Sequence, residues 1–378
     1  MEREFVFKSK KPNFKKNNKM KIITIIGARP QFVKAAALSR EFAKHDFIEE
    51  IIVHTGQHFD ANMSDVFFDE MEIPKPKLNL AINSLSHGAM TGRMLEGIEE
   101  LLIKEKPDLL LVYGDTNSTL AGALAAKKLH IKVAHVEAGL RSFNMDMPEE
   151  VNRILTDRIS DFLFCPTQSA IDNLEKEGYS NIDCEVVRTG DVMNDAALFY
   201  AKKSEEKSTV VESLNLDKFI LTTLHRAENT DDETILHSIV SSLNHIHENV
   251  CPVVLPLHPR TKAKLEQFGI ELKVKLIDPV GYFDMIELLK NCSLVMTDSG
   301  GLQKEAFFFK KNCVTLREQT EWVELIEEGV NKLAGSDAEK IVAFTKEMLA
   351  KKSDFTTNLY GNGKATETIT EFLIKSFR

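Results

Sequence analysis

The sequence lacks any stretch of about twenty consecutive apolar residues, which is the length that a helix needs to cross a membrane. Its 378 residues are 43% hydrophobic and 28% charged, a composition typical of an ordinary globular protein. Basic residues are in the minority, since 48 Lys and Arg against 57 Asp and Glu leave a formal net charge of −9. That acidic balance disfavours nucleic acid, because phosphate backbones are bound by excess Lys and Arg. We therefore predict neither a membrane nor a nucleic-acid partner.

Cysteine is scarce as well, and its spacing excludes two kinds of stabilising site. The five cysteines are Cys165, Cys184, Cys251, Cys292 and Cys313. An odd number of distant cysteines is atypical of a disulfide framework, and without a Cys-x-x-Cys pair it does not indicate structural zinc. Neither the dinucleotide fingerprint Gly-x-Gly-x-x-Gly nor a P-loop was found, so neither NAD nor ATP is indicated. We predict a protein of the reducing cytoplasm that has no metal and no cofactor.

Length and periodicity predict two α/β domains. A chain of 378 residues exceeds the size at which single cores stop growing. After residues 1–19, a lysine-rich stretch predicted to be a disordered tail, short β-branched runs alternate with segments of helical periodicity. Predicted strands are 21–26, 50–55, 108–113, 133–136, 162–165 and 185–189 in the first half, and 219–223, 253–256, 274–277, 293–297 and 313–316 in the second. Predicted helices include 32–43, 88–104, 118–129 and a last one at 362–375. The polar stretch 200–208 is the predicted interdomain linker.

The densest group of reactive side chains lies between Val133 and Arg153, where a predicted strand gives way to a loop. Its charged residues are His135, Glu137, Arg141, Glu149, Glu150 and Arg153. Ligand sites of parallel sheets lie at the carboxyl ends of the strands, so a functional site is predicted here. Pro148 suits the first turn of a helix, where the following acids favour the helix dipole. The alternative is that these residues are capping acids and surface ion pairs.

Other loops after strands in the first half carry further candidates. Gly27-Ala28-Arg29-Pro30 follows the first strand, and Lys34 lies one helical turn later, an arrangement that would attract phosphate. Asp115 follows the strand that ends at Tyr113 and is either a helix cap or an active-site acid. Taken in isolation, capping is the better interpretation for an Asp-Thr pair.

The second half repeats this placement of polar residues after strands. His225-Arg226 could be a titratable group beside a phosphate clamp or could include a buried structural histidine. His258 follows the next predicted strand. In the segment 297–305, Gly300-Gly301 would let backbone N–H groups approach a diphosphate at a helix N-terminus, and Glu305 could accept hydrogen bonds from a ribose. A plain strand-to-helix turn explains the two glycines but gives Glu305 no role.

Together these motifs resemble the non-hydrolysing UDP-N-acetylglucosamine 2-epimerases over residues 21–375. The motifs are Gly27-Ala28-Arg29-Pro30 with Lys34, Gly56-Gln57-His58, Gly114-Asp115-Thr116, His135-Val136-Glu137-Ala138-Gly139-Leu140-Arg141, Pro148-Glu149-Glu150 with Asn152-Arg153, His225-Arg226, Asp298-Ser299-Gly300-Gly301 with Glu305, and Tyr360-Gly361-Asn362-Gly363. The resemblance implies the GT-B architecture, in which two Rossmann-like parallel-sheet domains face each other across a cleft. It implies domain limits of 20–199 with the C-terminal helix 362–378, and 209–361.

The resemblance also implies a reaction and a set of site residues. Similar enzymes expel UDP from C1 by anti elimination to give a 2-acetamidoglucal, then add UDP back with protonation on the other face of C2. The implied catalytic residues are Asp115, Glu137, Glu149 and His225. The implied UDP-binding residues are Arg29, Lys34, Arg153, Ser299, Gly300, Gly301 and Glu305. An activator site for a second UDP-sugar maps onto Gln57, His58, Arg93 and His258. A homodimer that serves cell envelope polysaccharide biosynthesis is the implied setting.

Alternative activities share much of this site. A hydrolysing epimerase is not excluded by motif, whereas a GT-B glycosyltransferase or a non-catalytic UDP-sugar binding protein would not need three acids. One loop departs from the family, because Thr320-Glu321-Trp322-Val323-Glu324 replaces the common Thr-Glu-Arg-Pro-Glu. Trp322 either faces the ligand or packs in the core. This loop is similar to relatives that epimerise UDP-2,3-diacetamido-2,3-dideoxyglucuronate. The sequence places UDP-N-acetylglucosamine first and that uronate second.

Overall fold

The computed structural model describes residues 19–57 and 76–378, with the side chain of Arg29 outside the description. The described chain divides into two compact units. One contains the described residues up to Ala196 together with Asn358–Arg378, and the other is Ala197–Thr357. Each unit is built on a parallel sheet whose strands alternate with helices along the chain. The predicted class of two Rossmann-like parallel-sheet domains is confirmed.

In the first unit, seven strands of the described ranges form one sheet. They are β1 (Met20–Ile26), β2 (Ile48–His54), β3 (Leu78–Asn79), β4 (Leu109–Tyr113), β5 (Lys132–Val136), β6 (Phe162–Cys165) and β7 (Glu185–Arg188). Their order is β3-β2-β1-β4-β5-β6-β7, and every pairing is parallel. The order reverses between β1 and β4, which is the point where open α/β sheets bind ligands. The loops after β1, β4 and β5 are therefore well placed for a site.

Helices cover this sheet because their apolar residues recur on one face. Those of the first unit are α1 (Arg29–Phe42), α2 (His87–Glu105), α3 (Asn117–Lys128), α4 (Pro148–Ile159), α5 (Gln168–Lys176) and the start of α6 (Val192–Lys207). In α2, for example, Met94, Ile98 and Leu102 recur every fourth residue and are buried. They join a core that includes Ile23 of β1 and Val112 of β4.

The second unit repeats the pattern. Its strands are β8 (Ile220–Thr223), β9 (Val253–Pro256), β10 (Lys275–Ile277), β11 (Leu294–Thr297), β12 (Cys313–Thr315) and β13 (Asn331–Leu333), in the order β10-β9-β8-β11-β12-β13. Its helices after α6 are α7 (Val210–Leu214), α8 (Ala227–Thr230), α9 (Glu233–Asn249), α10 (Pro259–Phe268), α11 (Tyr282–Asn291), α12 (Gly300–Phe308), α13 (Val323–Glu327) and α14 (Ala338–Ala350). The order reverses between β8 and β11, so the turns after these two strands carry the candidate residues of this unit.

The last helix, α15 (Ala365–Phe377), packs on the first unit. Its N-terminus is held by Asp195 of α6, which accepts hydrogen bonds from the backbone N–H groups of Ala365 and Thr366 at 3.1 and 2.8 Å. Further along the helix, the ring of Phe372 meets that of Phe162 edge-on, with centroids 5.7 Å apart. Both contacts join α15 to residues of the first unit, Asp195 and Phe162.

The predicted linker at 200–208 is instead helical as far as Lys207, because α6 continues through it. Its few apolar side chains suffice to anchor the helix: Tyr200 is fully buried and packs edge-on against Tyr282 at 5.7 Å. Ser204 donates a hydrogen bond to Glu287 at 2.6 Å. The polar composition of this stretch therefore did not indicate its helix. The predicted domain limits are 199 and 209, whereas the two compact units meet between Ala196 and Ala197. Among the described helices, none is both long and apolar enough to span a membrane.

Candidate functional site

Asp115 lies in the turn between β4 and α3, directly after Gly114. The turn needs glycine at 114, where φ is +59° and the N–H donates to the Val136 carbonyl at 3.0 Å. The N-cap of α3 is Thr116, whose hydroxyl accepts from the backbone N–H of Thr119 at 3.3 Å. The interpretation of Asp115 as a cap is therefore wrong, because its carboxylate forms an ion pair with Arg153 instead.

Helix α4 holds Asp115 from two sides. Arg153 Nη2 pairs with Asp115 Oδ2, and the amide nitrogen of Asn152 donates to the Asp115 carbonyl at 3.0 Å. The arginine is itself fixed, since its Nη1 lies 2.9 Å from Glu150 Oε2. The Asp115 side chain is 30% exposed and that of Arg153 is 4% exposed. The carboxylate is therefore accessible to a ligand, whereas the guanidinium that holds it in place is buried.

Glu137 follows β5 and forms an ion pair with Lys34 of α1. Both side chains are over 90% buried, being 8% and 9% exposed. A Cβ added to Gly114 would lie 3.2 Å from Glu137 Oε2 and 3.4 Å from Lys34 Nζ, so this pair lies beside the Asp115 turn. The first unit thus brings together two of the predicted acids and two of the predicted cations.

The adjacent acids at the start of α4 have opposite surroundings. Glu149 is exposed, whereas Glu150 is fully buried. Glu150 accepts hydrogen bonds from the N–H groups of Ser142 and Phe143 at 2.9 and 2.8 Å, from the Ser142 hydroxyl at 2.9 Å, and from Arg153. Glu150 therefore shapes the loop before α4, while Glu149 has a carboxylate accessible to a ligand.

The loop after β1 is tightly packed. A Cβ at Gly27 would overlap the hydroxyl oxygens of Thr55 and Ser118, at 2.2 and 2.1 Å, so only glycine fits. The N–H groups of Gly27 and Ala28 already donate to Gln31 Oε1 at 2.8 and 3.0 Å. Phosphate binding by this loop would therefore depend on its cations, of which Lys34 is described; the Arg29 side chain lies outside the description.

The predicted activator residues lie on different elements of the described chain. Gln57 accepts from the N–H and hydroxyl of Ser118 at 3.1 and 2.7 Å, which ties it to α3. Arg93 is exposed on α2, 3.3 Å from Glu96, and lines a pocket of about 350 Å³ together with Leu85. His258 belongs to the second unit, and His58 lies outside the described residues.

In the second unit, buried Asp298 organises the turn after β8. One of its oxygens accepts from the N–H groups of His225 and Arg226, each at 2.8 Å, and the other lies 3.3 Å from His225 Nδ1. The His225 side chain is 39% exposed, which excludes the alternative of a buried structural histidine. Its ring lies 5.6 Å from that of exposed His258, centroid to centroid. The His225 imidazole is therefore held in one orientation and is accessible to a ligand.

The N-terminus of α12 is accessible at Gly301, which is exposed. Its N-cap, Ser299, makes no side-chain capping hydrogen bond, and nothing lies within 4 Å of a Cβ built on Gly301. The positive end of the helix dipole would attract a diphosphate at Gly301, while the Glu321 carboxylate lies next to Gly300, where its Oε1 would be 2.6 Å from an added Cβ. Glu305 lies further along the same helix and is 6% exposed.

The chain matches the family model described as UDP-N-acetylglucosamine 2-epimerase over residues 40–374. The chain belongs to this family. It is 58% identical to the UDP-2,3-diacetamido-2,3-dideoxy-D-glucuronate 2-epimerase of Pseudomonas aeruginosa, over 94% of this chain and 100% of that protein. It is 45% identical to the UDP-N-acetylglucosamine 2-epimerase of Methanocaldococcus jannaschii, over 94% of this chain and 99% of that protein. The crystal structure of the latter with UDP-GlcNAc and UDP superposes with a TM-score of 0.88 and 44% identity, covering 94% of this chain and 100% of the other.

The family assignment confirms the resemblance derived from the motifs, and with it the isomerase class. The epimerase of Neisseria meningitidis, solved with UDP-GlcNAc, adds a TM-score of 0.84 at 32% identity over 94% of this chain and 100% of the other. Both solved relatives share the arrangement of two Rossmann-like domains. The individual roles of the site residues in this epimerase family member stay predictions.

Trp322, the departure from the common family motif, packs in the core of the second unit. Its side chain is 3% exposed, and the ammonium of buried Lys304 lies 4.0 Å from the indole centroid. The preceding Thr320 donates to Gln303 Oε1 at 2.8 Å, which fastens this loop to α12. Trp322 Nε1 would lie 3.7 Å from a Cβ at Gly300, so the indole supports the helix N-terminus from beneath.

Asn152 and Asp157 were not predicted as site residues from the sequence, although α4 carried a signal for them. Glu150, Arg153 and Asp157 recur at helical spacing, and all three are buried. Asp157 was not predicted, and Asn152 appeared only within a motif. A polar stripe at spacings of three and four on a helix next to a cluster of acids indicates a buried network rather than a solvated face.

Proposed function

We propose that this chain is a non-hydrolysing UDP-sugar 2-epimerase, which inverts C2 of UDP-N-acetylglucosamine to give UDP-N-acetylmannosamine. The observation that carries the proposal is the pairing of Asp115 with Arg153 beside that of Glu137 with Lys34. Epimerisation at an unactivated carbon needs acids and bases around C2 and cations for the departing diphosphate. The first unit supplies both kinds of group.

The reaction proceeds by elimination and re-addition. One carboxylate removes the proton from C2, the C2–H electron pair forms the C1=C2 double bond, and the C1–O bond breaks with its electrons passing to UDP. The reverse steps deliver a proton to the other face of C2 and restore the bond to UDP. Asp115, Glu137 and Glu149 are the proposed proton-transfer groups, and His225 lies near the phosphates. Hydrogen leaves and returns as a proton, so no redox cofactor takes part.

UDP is proposed to bind at the N-terminus of α12. The open space at Gly301 supports binding of the diphosphate beside Ser299 and Gly300, and Glu305 is proposed to accept hydrogen bonds from the ribose. Arg29, Lys34 and Arg153 would supply positive charge. The strong similarity to a crystal structure with UDP-GlcNAc and UDP supports a ligand of this class.

A second candidate substrate is UDP-2,3-diacetamido-2,3-dideoxyglucuronate. The observation in its favour is the 58% identity to the Pseudomonas aeruginosa enzyme of that name, against 45% to the Methanocaldococcus jannaschii UDP-GlcNAc enzyme. Both substrates carry the same C2 acetamido group and the same UDP, so the proposed chemistry is unchanged. Only the contacts to C3 and C6 differ between them.

Incubation of each sugar with the enzyme in heavy water, followed by NMR of the product, tests the proposal. We expect the epimer with deuterium at C2, still attached to UDP. An epimer that retains protium would refute elimination, and a free sugar would show a hydrolysing enzyme. A kcat/KM at least tenfold higher for the diacetamido uronate, about 1.4 kcal/mol of discrimination, would make it the substrate.

We propose further that the enzyme acts as a homodimer in the cytoplasm and that a second UDP-sugar activates it. The family resemblance implies the homodimer and the activator, whose site maps onto Gln57, His58, Arg93 and His258. The cytoplasmic location rests on the odd number of distant cysteines. Service in cell envelope polysaccharide biosynthesis is part of the same proposal. Light scattering tests the homodimer, and the dependence of the reaction rate on UDP-sugar concentration tests the activation.

A further inference from the structure

His135 has no role in the proposed reaction, yet it lies beneath the acid cluster of the first unit. It is the fourth residue of β5 and is fully buried. Its Nδ1 is 2.7 Å from Asp157 Oδ1, and its Nε2 is 2.7 Å from the carbonyl oxygen of Gly114. Each ring nitrogen therefore has one close partner, and one of these partners immediately precedes Asp115.

Both partners accept hydrogen bonds. The Gly114 carbonyl has no proton to give. Burial would raise the pKa of Asp157, but its hydrogen bonds with His135 and Arg141 and the charge of Arg141 hold that pKa below its usual value. Its second oxygen also accepts, from Arg141 Nη1 at 2.7 Å and from the Gly139 N–H at 3.1 Å. An ionised carboxylate and a carbonyl can both be satisfied only by a ring with a proton on each nitrogen.

The cysteine and the tyrosine close to this network do not supply a competing charge. Burial raises the pKa of the Cys165 thiol well above its usual value, and burial likewise raises that of the Tyr179 hydroxyl. Arg141 is balanced on its far side by Glu177, which it meets at 2.7 and 2.8 Å. Asp157 is thus paired with both His135 and Arg141, and Arg141 is paired in addition with Glu177, whose side chain is 33% exposed.

We propose that His135 is a positioning residue for the Asp115 turn, acting as a doubly protonated ring that donates to the Gly114 carbonyl. This inference rests on the proposed epimerase activity. Gly114 has no side chain and a φ of +59°, so its peptide groups are restrained mainly by hydrogen bonds. Two hydrogen bonds restrain this residue. The Gly114 N–H donates to the Val136 carbonyl, and the His135 ring donates to the Gly114 carbonyl.

The carbonyl bond matters because its peptide leads directly into Asp115. Loss of the bond would let that peptide rotate and would turn the Asp115 carboxylate away from its position beside Glu137. A misplacement of a reacting group by about 1 Å can cost about 10²-fold in rate. Binding of UDP, which is proposed to depend on α12, would change little.

Two substitutions separate the two bonds of the ring. In His135→Asn the side-chain amide can take the place of Nδ1 and donate to Asp157, but it does not reach Gly114. In His135→Gln the longer side chain can take the place of Nε2 and donate to Gly114. His45→Asn is the matched control, because His45 lies in the same unit, 3.6 Å from Glu41, and is 33% exposed.

We expect His135→Asn to lower kcat by about 10²-fold, with UDP affinity and KM within a few-fold of wild type. His135→Gln should recover most of kcat, and His45→Asn should match wild type. A wild-type kcat in His135→Asn would overturn the proposal. Equal loss in both His135 variants, in parallel with their melting temperatures, would show a merely structural histidine.

Selective ¹⁵N-histidine labelling of the full chain gives a readout that does not need activity. We expect the His135 signals of the wild-type protein, assigned by their loss in His135→Asn or His135→Gln, to show a proton on both nitrogens at the pH of the assay. A neutral ring, with one unprotonated nitrogen, would refute the inference. If wild-type enzyme epimerises neither sugar while the ring is doubly protonated, the proposed function fails and the hydrogen-bond assignment stands.

Discussion

Replacing Glu150 by Gln is expected to destabilise the first unit without removing an acid that is proposed to react. In the native protein the carboxylate accepts from two backbone N–H groups, one hydroxyl and Arg153, all between 2.8 and 2.9 Å. An amide has one acceptor oxygen, so its nitrogen must face donors, and Arg153 loses a buried anion. Breaking a buried ion pair by changing one partner costs ~3–5 kcal/mol.

For a domain of this size, ~3 kcal/mol lowers the melting temperature by ~6–12 °C. Calorimetry of the full chain measures this fall in melting temperature. Glu149, the neighbouring residue, allows the same Glu-to-Gln substitution as a control. Glu149→Gln should melt within a degree or two of wild type, because exposed substitutions stay within about 0.5 kcal/mol. It should instead lose turnover. Unchanged melting of Glu150→Gln, or an equal fall in both variants, would refute the assignment of a buried structural acid next to an exposed reactive one.

Asp115→Asn and Glu137→Gln should each lower kcat by ~10²-fold or more with UDP affinity within a few-fold, and a variant with near-normal turnover loses its proposed role. Glu305→Ala should weaken UDP by ~1.5–3 kcal/mol in titration calorimetry, whereas unchanged affinity would mean no contact with the ribose. Tryptophan emission, which comes from Trp322 alone, should shift when UDP binds, because the indole Nε1 lies near Gly300 of the proposed diphosphate site; unchanged emission would argue against binding there. Folding lowers the pKa of Asp157, so its stabilisation is present above the unfolded value of about 3.9 and declines as pH falls through the folded value. The stability gap between wild type and Asp157→Asn should therefore narrow from pH 7 to pH 3 in urea titrations, and a constant gap would contradict this.

Most strands could be predicted because parallel strands are β-branched runs bounded by turn residues. The predicted strands 162–165 and 253–256 agree with β6 and β9. The strands that escaped, β3 and β13, are two and three residues long and carry no periodicity. Their place is decided by pairing with a neighbour, which acts across the sheet and not along the sequence.

Within the candidate site, the sequence could predict which residue types gather but not their surroundings. Glu149 and Glu150 are identical residues at consecutive positions, and their burial differs because the loop at Ser142 folds back over only one of them. Trp322 had two interpretations for the same reason, since a core contact with Lys304 depends on how the loop lies on α12. Such distinctions arise from tertiary packing.

The backbone of Glu137, with φ at +74°, lies in the left-handed region that favours glycine. A side chain in that conformation costs about 1–2 kcal/mol relative to glycine. Glycine would relieve that cost, but Glu137→Gly would also leave the buried Lys34 ammonium without its carboxylate, which costs ~3–5 kcal/mol, so the substitution should destabilise the first unit. The unfavourable backbone at residue 137 is therefore outweighed by the ion pair of a carboxylate that is also proposed to transfer protons, so selection for stability and selection for activity would both retain glutamate at this position.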